Sequence, residues 1–205
     1  FLKELSEGTL PDEVFARYIA QDELYLKNYY HQMFMLADLM ADPSHKELFL
    51  SFAQSGMEGE KAMHDMLIER YSIETQVSAS KVTSDYNSHI CEGIATGNPC
   101  IALAAVLPCM WIYNQVGLYI LGHSRMEDNP YKEWILEYGQ EEFTTGVNQV
   151  LKMIDAMAAD ADEQTRQIMD YYYLKAALYE YAFWDYGYHG DARSYDYTDS
   201  LEEWL

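Results

Sequence analysis

The chain has 205 residues, 49% of them hydrophobic and 15% aromatic, which fits one large folded domain and excludes extended disorder. Thirteen Lys and Arg stand against 34 Asp and Glu, a formal net charge of −21. Such a surface repels phosphate backbones and anionic lipid headgroups, so neither nucleic acid nor a membrane is expected as a partner. The chain holds no run of about 18 apolar residues, the length a spanning helix needs. Its opening, FLKELSEGTLPDE, carries acids where a signal peptide would be basic and apolar. The three cysteines, Cys91, Cys100 and Cys109, lack Cys-x-x-Cys spacing. Neither a disulfide framework nor a zinc site is therefore expected, and a reducing cytoplasm is the simplest compartment.

In chain order, almost every segment reads as helix. Pro11 in a first turn, with Thr9 near the cap, opens a long periodic segment that ends near Asp42-Pro43. Ser44 is expected to cap the next helix, about 45–71. The polar stretch Ser78-Ala79-Ser80 leads into a helix ending near Ala95, and Gly97-Asn98-Pro99 breaks it. A strongly apolar helix follows to about Gly122. Asn129-Pro130 starts a short helix, Gly139 interrupts, another runs to about Ala159, and the last covers about 162–186. Strand-like alternation, hairpin dipeptides and repeats are missing. The expected fold class is all-α: one compact bundle of seven to eight helices, with a loose aromatic-rich tail from Gly187.

Three helices carry a reactive side chain inside an apolar or aromatic stripe. Tyr18, Asp22, Tyr25 and Tyr29 share a face of the first long helix. Ala102, Val106, Cys109, Tyr113, Val116 and Ile120 share one on the apolar helix, and Tyr173, Ala177, Glu180 and Trp184 line up on the last. A carboxylate is almost never buried without a partner, so Asp22 and Glu180 ask for a cation or a hydrogen-bonding ligand. Each acid taken alone reads more simply as a residue at the stripe's edge or a partner for a Tyr hydroxyl. Cys109 alone reads as a small core residue. Pro108 removes one helical hydrogen bond beside that thiol and kinks the chain. Glu60 and His64 are i, i+4 neighbours with Glu58 close by, but no Glu-x-x-His occurs. They read as a structural pair rather than a di-metal site. No histidine is singled out as a haem ligand, and there is no Gly-rich phosphate loop.

The stretches YIAQDELYLKNYY (18–30), LPCMWIYNQVG (107–117), YKEWILEYGQEEF (131–143) and LYEYAFWDYGY (178–188) resemble, in composition and order, the TenA family, the thiaminase II group. The resemblance covers Phe1 to about Tyr188, giving a single domain over 1–188 and a C-terminal tail over 189–205. It implies a haem-oxygenase-like helical fold without haem, a homotetramer, and no metal or organic cofactor. The implied reaction is hydrolytic removal of the group on the 5-methylene of a 4-amino-2-methylpyrimidine, for salvage of aminopyrimidines from degraded thiamin, with thiamin itself a substrate for some members. Cys109 then matches the nucleophile, Glu180 the acid/base group at a ring nitrogen, and Asp22 the carboxylate that accepts from the exocyclic amine. Tyr25 matches a pocket aromatic, and Tyr86 and Tyr138 the tyrosines that orient the ring and the thiol. Tyr113, on the Cys109 stripe, joins them as a substrate-binding candidate.

Chemically, a neutral aminopyrimidine resists attack until a ring nitrogen is protonated, which a carboxylic acid of raised pKa in an apolar pocket can do. A thiolate then adds to the ring, and ring electrons expel the amine or thiazole. Glu180 protonated and Asp22 ionised is the expected division of labour. Gln115, where many relatives carry an acid, and Met110, where an aromatic is frequent, are expected to tune the leaving-group side. An N-terminal stretch is expected ahead of Phe1, and the tail with Trp204 is expected to pack on the bundle or a neighbouring subunit. Rival readings are a metal- or quinone-handling oxidase of the same broad fold and a non-catalytic pyrimidine-binding protein. A transcriptional regulator is also conceivable, but the net charge opposes direct DNA contact.

Overall fold

The computed structural model describes residues 1–192; the tail positions beyond, Trp204 included, lie outside the described residues. The described residues form eight α-helices and no strand: α1 (Leu2–Glu7), α2 (Asp12–Leu39), α3 (Pro43–Tyr71), α4 (Lys81–Ala95), α5 (Pro99–His123), α6 (Lys132–Gly139), α7 (Glu141–Asp160) and α8 (Glu163–His189), followed by a 3-10 turn, Gly190–Ala192.

Caps set several of these boundaries. Ser80 accepts from the Thr83 N–H at the start of α4, Asn98 accepts from Cys100 N–H with Pro99 in the first turn of α5, and Asp162 accepts from Thr165 N–H to open α8. Two expected caps differ. Asp42, not Ser44, caps α3, because its carboxylate takes the Ser44 N–H while Pro43, which has no N–H to satisfy, fills the first helical position. Thr9 caps nothing: Pro11 is the extended residue before α2, and the Thr9 hydroxyl turns back to the Glu4 carbonyl. The sequence also gave no warning of α1, a six-residue helix closed by Gly8 in the left-handed region (φ 70°).

Helix α5 runs through the middle of the bundle. Every side chain from Ile101 to Met110 is buried, so this stretch is apolar on all faces rather than striped. Over an 18-residue window its mean hydropathy is 1.5, enough by length and composition to cross a membrane, but 72% of that window is buried inside the protein. Its apolarity is accounted for by helices α4, α6, α7 and α8 packed around it. One contact is unusually close: a Cβ on Gly117 would lie 2.3 Å from the Tyr138 backbone. Only glycine lets α5 and α6 approach so far, and that approach places Tyr138 in the core.

The tail does not begin at Gly187. Helix α8 continues to His189, and Gly187 is buried with its Cα side against the Tyr18 Cβ, where an added Cβ would sit at 3.2 Å. Glycine here marks a close helix crossing rather than a break. Burial on α8 also follows a different line from the expected stripe. Ala176, Tyr179, Glu180, Phe183 and Gly187 face inward, while Tyr173, Ala177 and Trp184 are only half-buried.

Candidate active site

Five helices deliver the candidate residues to one interior cluster: Asp22 and Tyr25 from α2, Tyr86 from α4, Cys109 and Tyr113 from α5, Tyr138 from α6 and Glu180 from α8. All seven are at most 7% exposed. The Tyr86 hydroxyl donates to Glu180 Oε1 at 2.6 Å. Tyr25 stacks on Tyr86 with ring centroids 4.8 Å apart, and Tyr29 stacks on Tyr25 at 5.4 Å. On the other side Tyr113 packs on Tyr138 at 4.9 Å, and the hydroxyls of Tyr18 and Tyr113 share a hydrogen bond of 2.9 Å. Flat apolar walls with a few inward polar atoms suit a planar heteroaromatic ring.

Asp22 has the cationic partner that its burial demanded, and it is His64 of α3. His64 Nε2 meets Asp22 Oδ2 at 3.2 Å while its Nδ1 meets Glu23 Oε2 at 3.0 Å. Burial alone would lower the imidazole's pKa; the bonds to Asp22 and Glu23 and the charge of Asp22 more than reverse this and push it up to about 10. His64 is therefore an imidazolium that donates from both nitrogens. The expected Glu60–His64 pair does not form. The ring turns across to α2, where two acids together outcompete one neighbour on its own helix. Glu60 instead accepts from the Tyr30 hydroxyl, and Glu58 is exposed, taking a bond from Gln54.

Gln21, beside Asp22, anchors this end of α2. Its Oε1 accepts from Ser80 N–H and from the Thr83 hydroxyl, each at 2.8 Å, and its Nε2 donates to the Ser78 carbonyl. The segment between α3 and α4 is thereby pinned to the helix that carries Asp22.

Burial raises the Glu180 carboxyl to about 8; the Tyr86 bond works against this and the charge of Asp22 adds to it. Burial also drives the Cys109 thiol well above its ordinary range, the charges of Glu180 and Glu60 push the same way, and the nearby Tyr25 hydroxyl is the main opposing influence. At neutral pH both groups rest protonated. The sulfur of Cys109 is thus a buried thiol at rest rather than a thiolate. The Tyr25 hydroxyl is buried beside the Cys109 thiol and the Tyr86 hydroxyl without a well-formed hydrogen bond.

Gln115 is not at this site. It is exposed on α5, donating to Asn114 Oδ1 at 3.3 Å, because its position lies about a third of a turn around the helix from the thiol. Met110 is buried. Tyr29, whose hydroxyl donates to the Val106 carbonyl at 3.0 Å one turn before Cys109, belongs to the cluster although only its stripe pointed to it. His64 and Glu60 were visible as a pair, but nothing local linked either to Asp22 or Cys109. Among the described residues, no three His, Cys, Asp or Glu side chains come together in a metal-binding arrangement.

Comparison with known proteins bears on this cluster. The TENA/THI-4/PQQC family profile matches residues 1–190. An aminopyrimidine aminohydrolase of Bacillus subtilis is 30% identical over 207 residues, covering 99% of this chain and 87% of that protein. A thiamine biosynthesis multifunctional protein, ThiED, of Corynebacterium efficiens is 30% identical over 186 residues, covering 90% of this chain but 25% of that longer protein. Among solved structures, a TenA homologue from Pyrococcus furiosus superposes with a TM-score of 0.86 at 20% identity, covering 92% of this chain and 90% of that one.

Proposed function

The chain belongs to the TENA/THI-4/PQQC family, and from that membership and its buried cluster we propose that it hydrolyses the bond between the 5-methylene of a 4-amino-2-methylpyrimidine and an amine or thiazole leaving group. The observation that carries this reading is the enclosure of one thiol, Cys109, among carboxyl groups held in different states. Glu180 is kept neutral near pH 7 by burial, and Asp22 is clamped by the His64 imidazolium. A neutral acid and a fixed carboxylate are what a weakly basic aminopyrimidine needs, one to protonate a ring nitrogen and one to accept from the exocyclic amine.

In this scheme Tyr25 and Tyr86 lie against the ring, and Tyr113 and Tyr138 close the other side and exclude water. Glu180 gives its proton to the ring nitrogen as Cys109 sulfur bonds to the ring, and the thiol proton replaces the one Glu180 gave up. The exocyclic amine, its N–H held by Asp22, pushes electrons toward the methylene, and the leaving group departs with the bonding pair. Water then adds to the methylene carbon, and the sulfur leaves as the ring nitrogen gives its proton back to Glu180, which returns one to the thiolate, so that the ring regains aromaticity and Cys109 its thiol. A place in thiamin-related pyrimidine salvage and assembly as a homotetramer are part of the same proposal. Leu118, Tyr119 and Leu136, exposed on neighbouring helices α5 and α6, offer apolar surface for a second copy.

Turnover of 4-amino-5-aminomethyl-2-methylpyrimidine, beside thiamin, by wild type and Cys109→Ser tests the reading. Wild type should release ammonia, and the serine variant should be slower by about a hundredfold or more, as when a needed nucleophile is weakened. Absence of wild-type turnover, with retained binding of the hydroxymethyl product, would instead mark a non-catalytic pyrimidine-binding protein.

A further inference from the structure

A third carboxyl group faces the thiol, and the roles above leave it unused. Glu60 of α3 is half-buried. From α2 the Tyr30 hydroxyl donates to its Oε2, and Tyr29 and Asp22 face it. Tyr138 of α6 lies beside it, Cys109 of α5 feels its charge, and His64 follows one turn later on its own helix. Burial raises its carboxyl to about 7, with the Tyr30 bond opposing and Asp22 adding.

On its other side Glu60 lines a cavity of about 240 Å³ that opens between α2 and α3, walled also by Glu23, Leu26, Tyr30, Met57 and His64. Lys27 and Lys61 stand at its edge, the latter paired with Asp65. The volume has room for ammonia and several waters, each of which occupies about 30 Å³ in the liquid. Glu60 is thus the group shared by the buried thiol cluster and a cavity that opens to the surface. Tyr30 fixes its carboxyl there.

We propose that Glu60 is the second acid–base residue of the reaction, serving the leaving group and the incoming water at the inner end of the α2–α3 cavity. This rests on the hydrolase reading above. When the methylene carbon–nitrogen bond breaks, its electron pair goes to nitrogen, which takes the Glu60 proton and departs as ammonia into the cavity. A water oxygen then bonds to the methylene carbon and returns a proton to the Glu60 carboxylate. The sum is substrate plus water giving hydroxymethylpyrimidine plus ammonia, with Glu60 restored. A thiazolium leaving group differs in one respect: its nitrogen accepts the bonding pair and departs as neutral thiazole without needing a proton.

The test compares ammonia release from the aminomethyl substrate with thiazole release from thiamin, in wild type, Glu60→Gln and Glu60→Asp. Glu60→Gln should slow ammonia release by about a hundredfold or more, the usual scale for a lost general acid. The ratio of ammonia to thiazole release should fall at least tenfold with it. Glu60→Asp, which keeps a carboxyl, should recover part of the loss. With the aminomethyl substrate, wild-type kcat/KM should also show a limb near pH 7 that Glu60→Gln lacks, which decides the matter if thiamin turns over too slowly to follow. An unchanged pH profile, or equal losses on both substrates, would reduce Glu60 to a structural partner of Tyr30 and overturn the inference. Failure of wild type to release ammonia at all would remove the hydrolase reading itself.

Discussion

Replacing His64 by Gln removes a buried cation from between two carboxylates. The imidazole is 1% exposed and Asp22 is 3% exposed, so solvent does not screen the pair. A folded-state pKa of about 10 against an ordinary 6.5 corresponds to about 5 kcal/mol of stabilisation at about 1.4 kcal/mol per pH unit. Because the folded-state value is the higher one, the folded protein holds this proton more tightly than the unfolded chain. The contribution is fully present below pH 6.5 and is lost as pH rises toward 10. About 4 kcal/mol remains at pH 7 and less than half of that at pH 9. Breaking a buried pair by removing one partner costs a similar 3–5 kcal/mol or so. The assay is urea unfolding of wild type and His64→Gln at pH 7, 8 and 9. With a urea slope of about 3 kcal/mol per M, the midpoint of the variant should lie about 1.3 M lower at pH 7, and the gap should shrink to about 0.5 M at pH 9. Glu180 and Cys109 titrate in both proteins, so their effects largely cancel in the difference. A gap that does not change with pH, or one below about 1 kcal/mol at pH 7, would refute the assignment of His64 as an imidazolium.

Other expectations concern the acid, its tyrosine and the helix crossing. Glu180 acts protonated, so wild-type kcat/KM should fall as pH rises through about 8, and Glu180→Gln should lose about two to four orders of magnitude together with that limb. The raised carboxyl also costs stability as pH climbs from its ordinary 4.5 past about 8, so Glu180→Gln should melt above wild type at pH 9 and lose that advantage at pH 5. Tyr86→Phe deletes a bond that favours the ionised carboxylate, and the same limb should move to higher pH; a downward move would contradict the 2.6 Å donation to Glu180. Gly117→Ala places a methyl 2.3 Å from the Tyr138 backbone, which should lower stability by about 1–3 kcal/mol, seen as a Tm lower by about 2–12 °C.

Much of the fold was legible because helices are local objects. Ser80, Asn98-Pro99 and Asp162 fix helix starts through bonds spanning two or three residues. The face shared by Tyr18, Asp22, Tyr25 and Tyr29 follows from 3.6-residue periodicity, and all four are buried. Gly187 misled because a glycine between helices and a glycine at a helix crossing look alike until the partner, Tyr18, is placed. Gln115 misled because its role was carried over from a segment match, whereas its rotation about α5 puts it in solvent.

The site divides in the same way. Sequence alone determined the α2 stripe of Tyr18, Asp22, Tyr25 and Tyr29, and the motif matches added Tyr86 and Tyr138. It could not assign Asp22 its partner, since His64 is 42 residues away and its neighbour Glu60 was the nearer choice. Nor could it set the resting protonation of Cys109, Glu180 and Glu60. Periodicity relates residues within one helix, while contact across helices depends on crossing angles and close approaches such as Gly117 on Tyr138. A carboxyl's proton affinity depends in turn on how deeply that packing buries it and which charges it is packed beside.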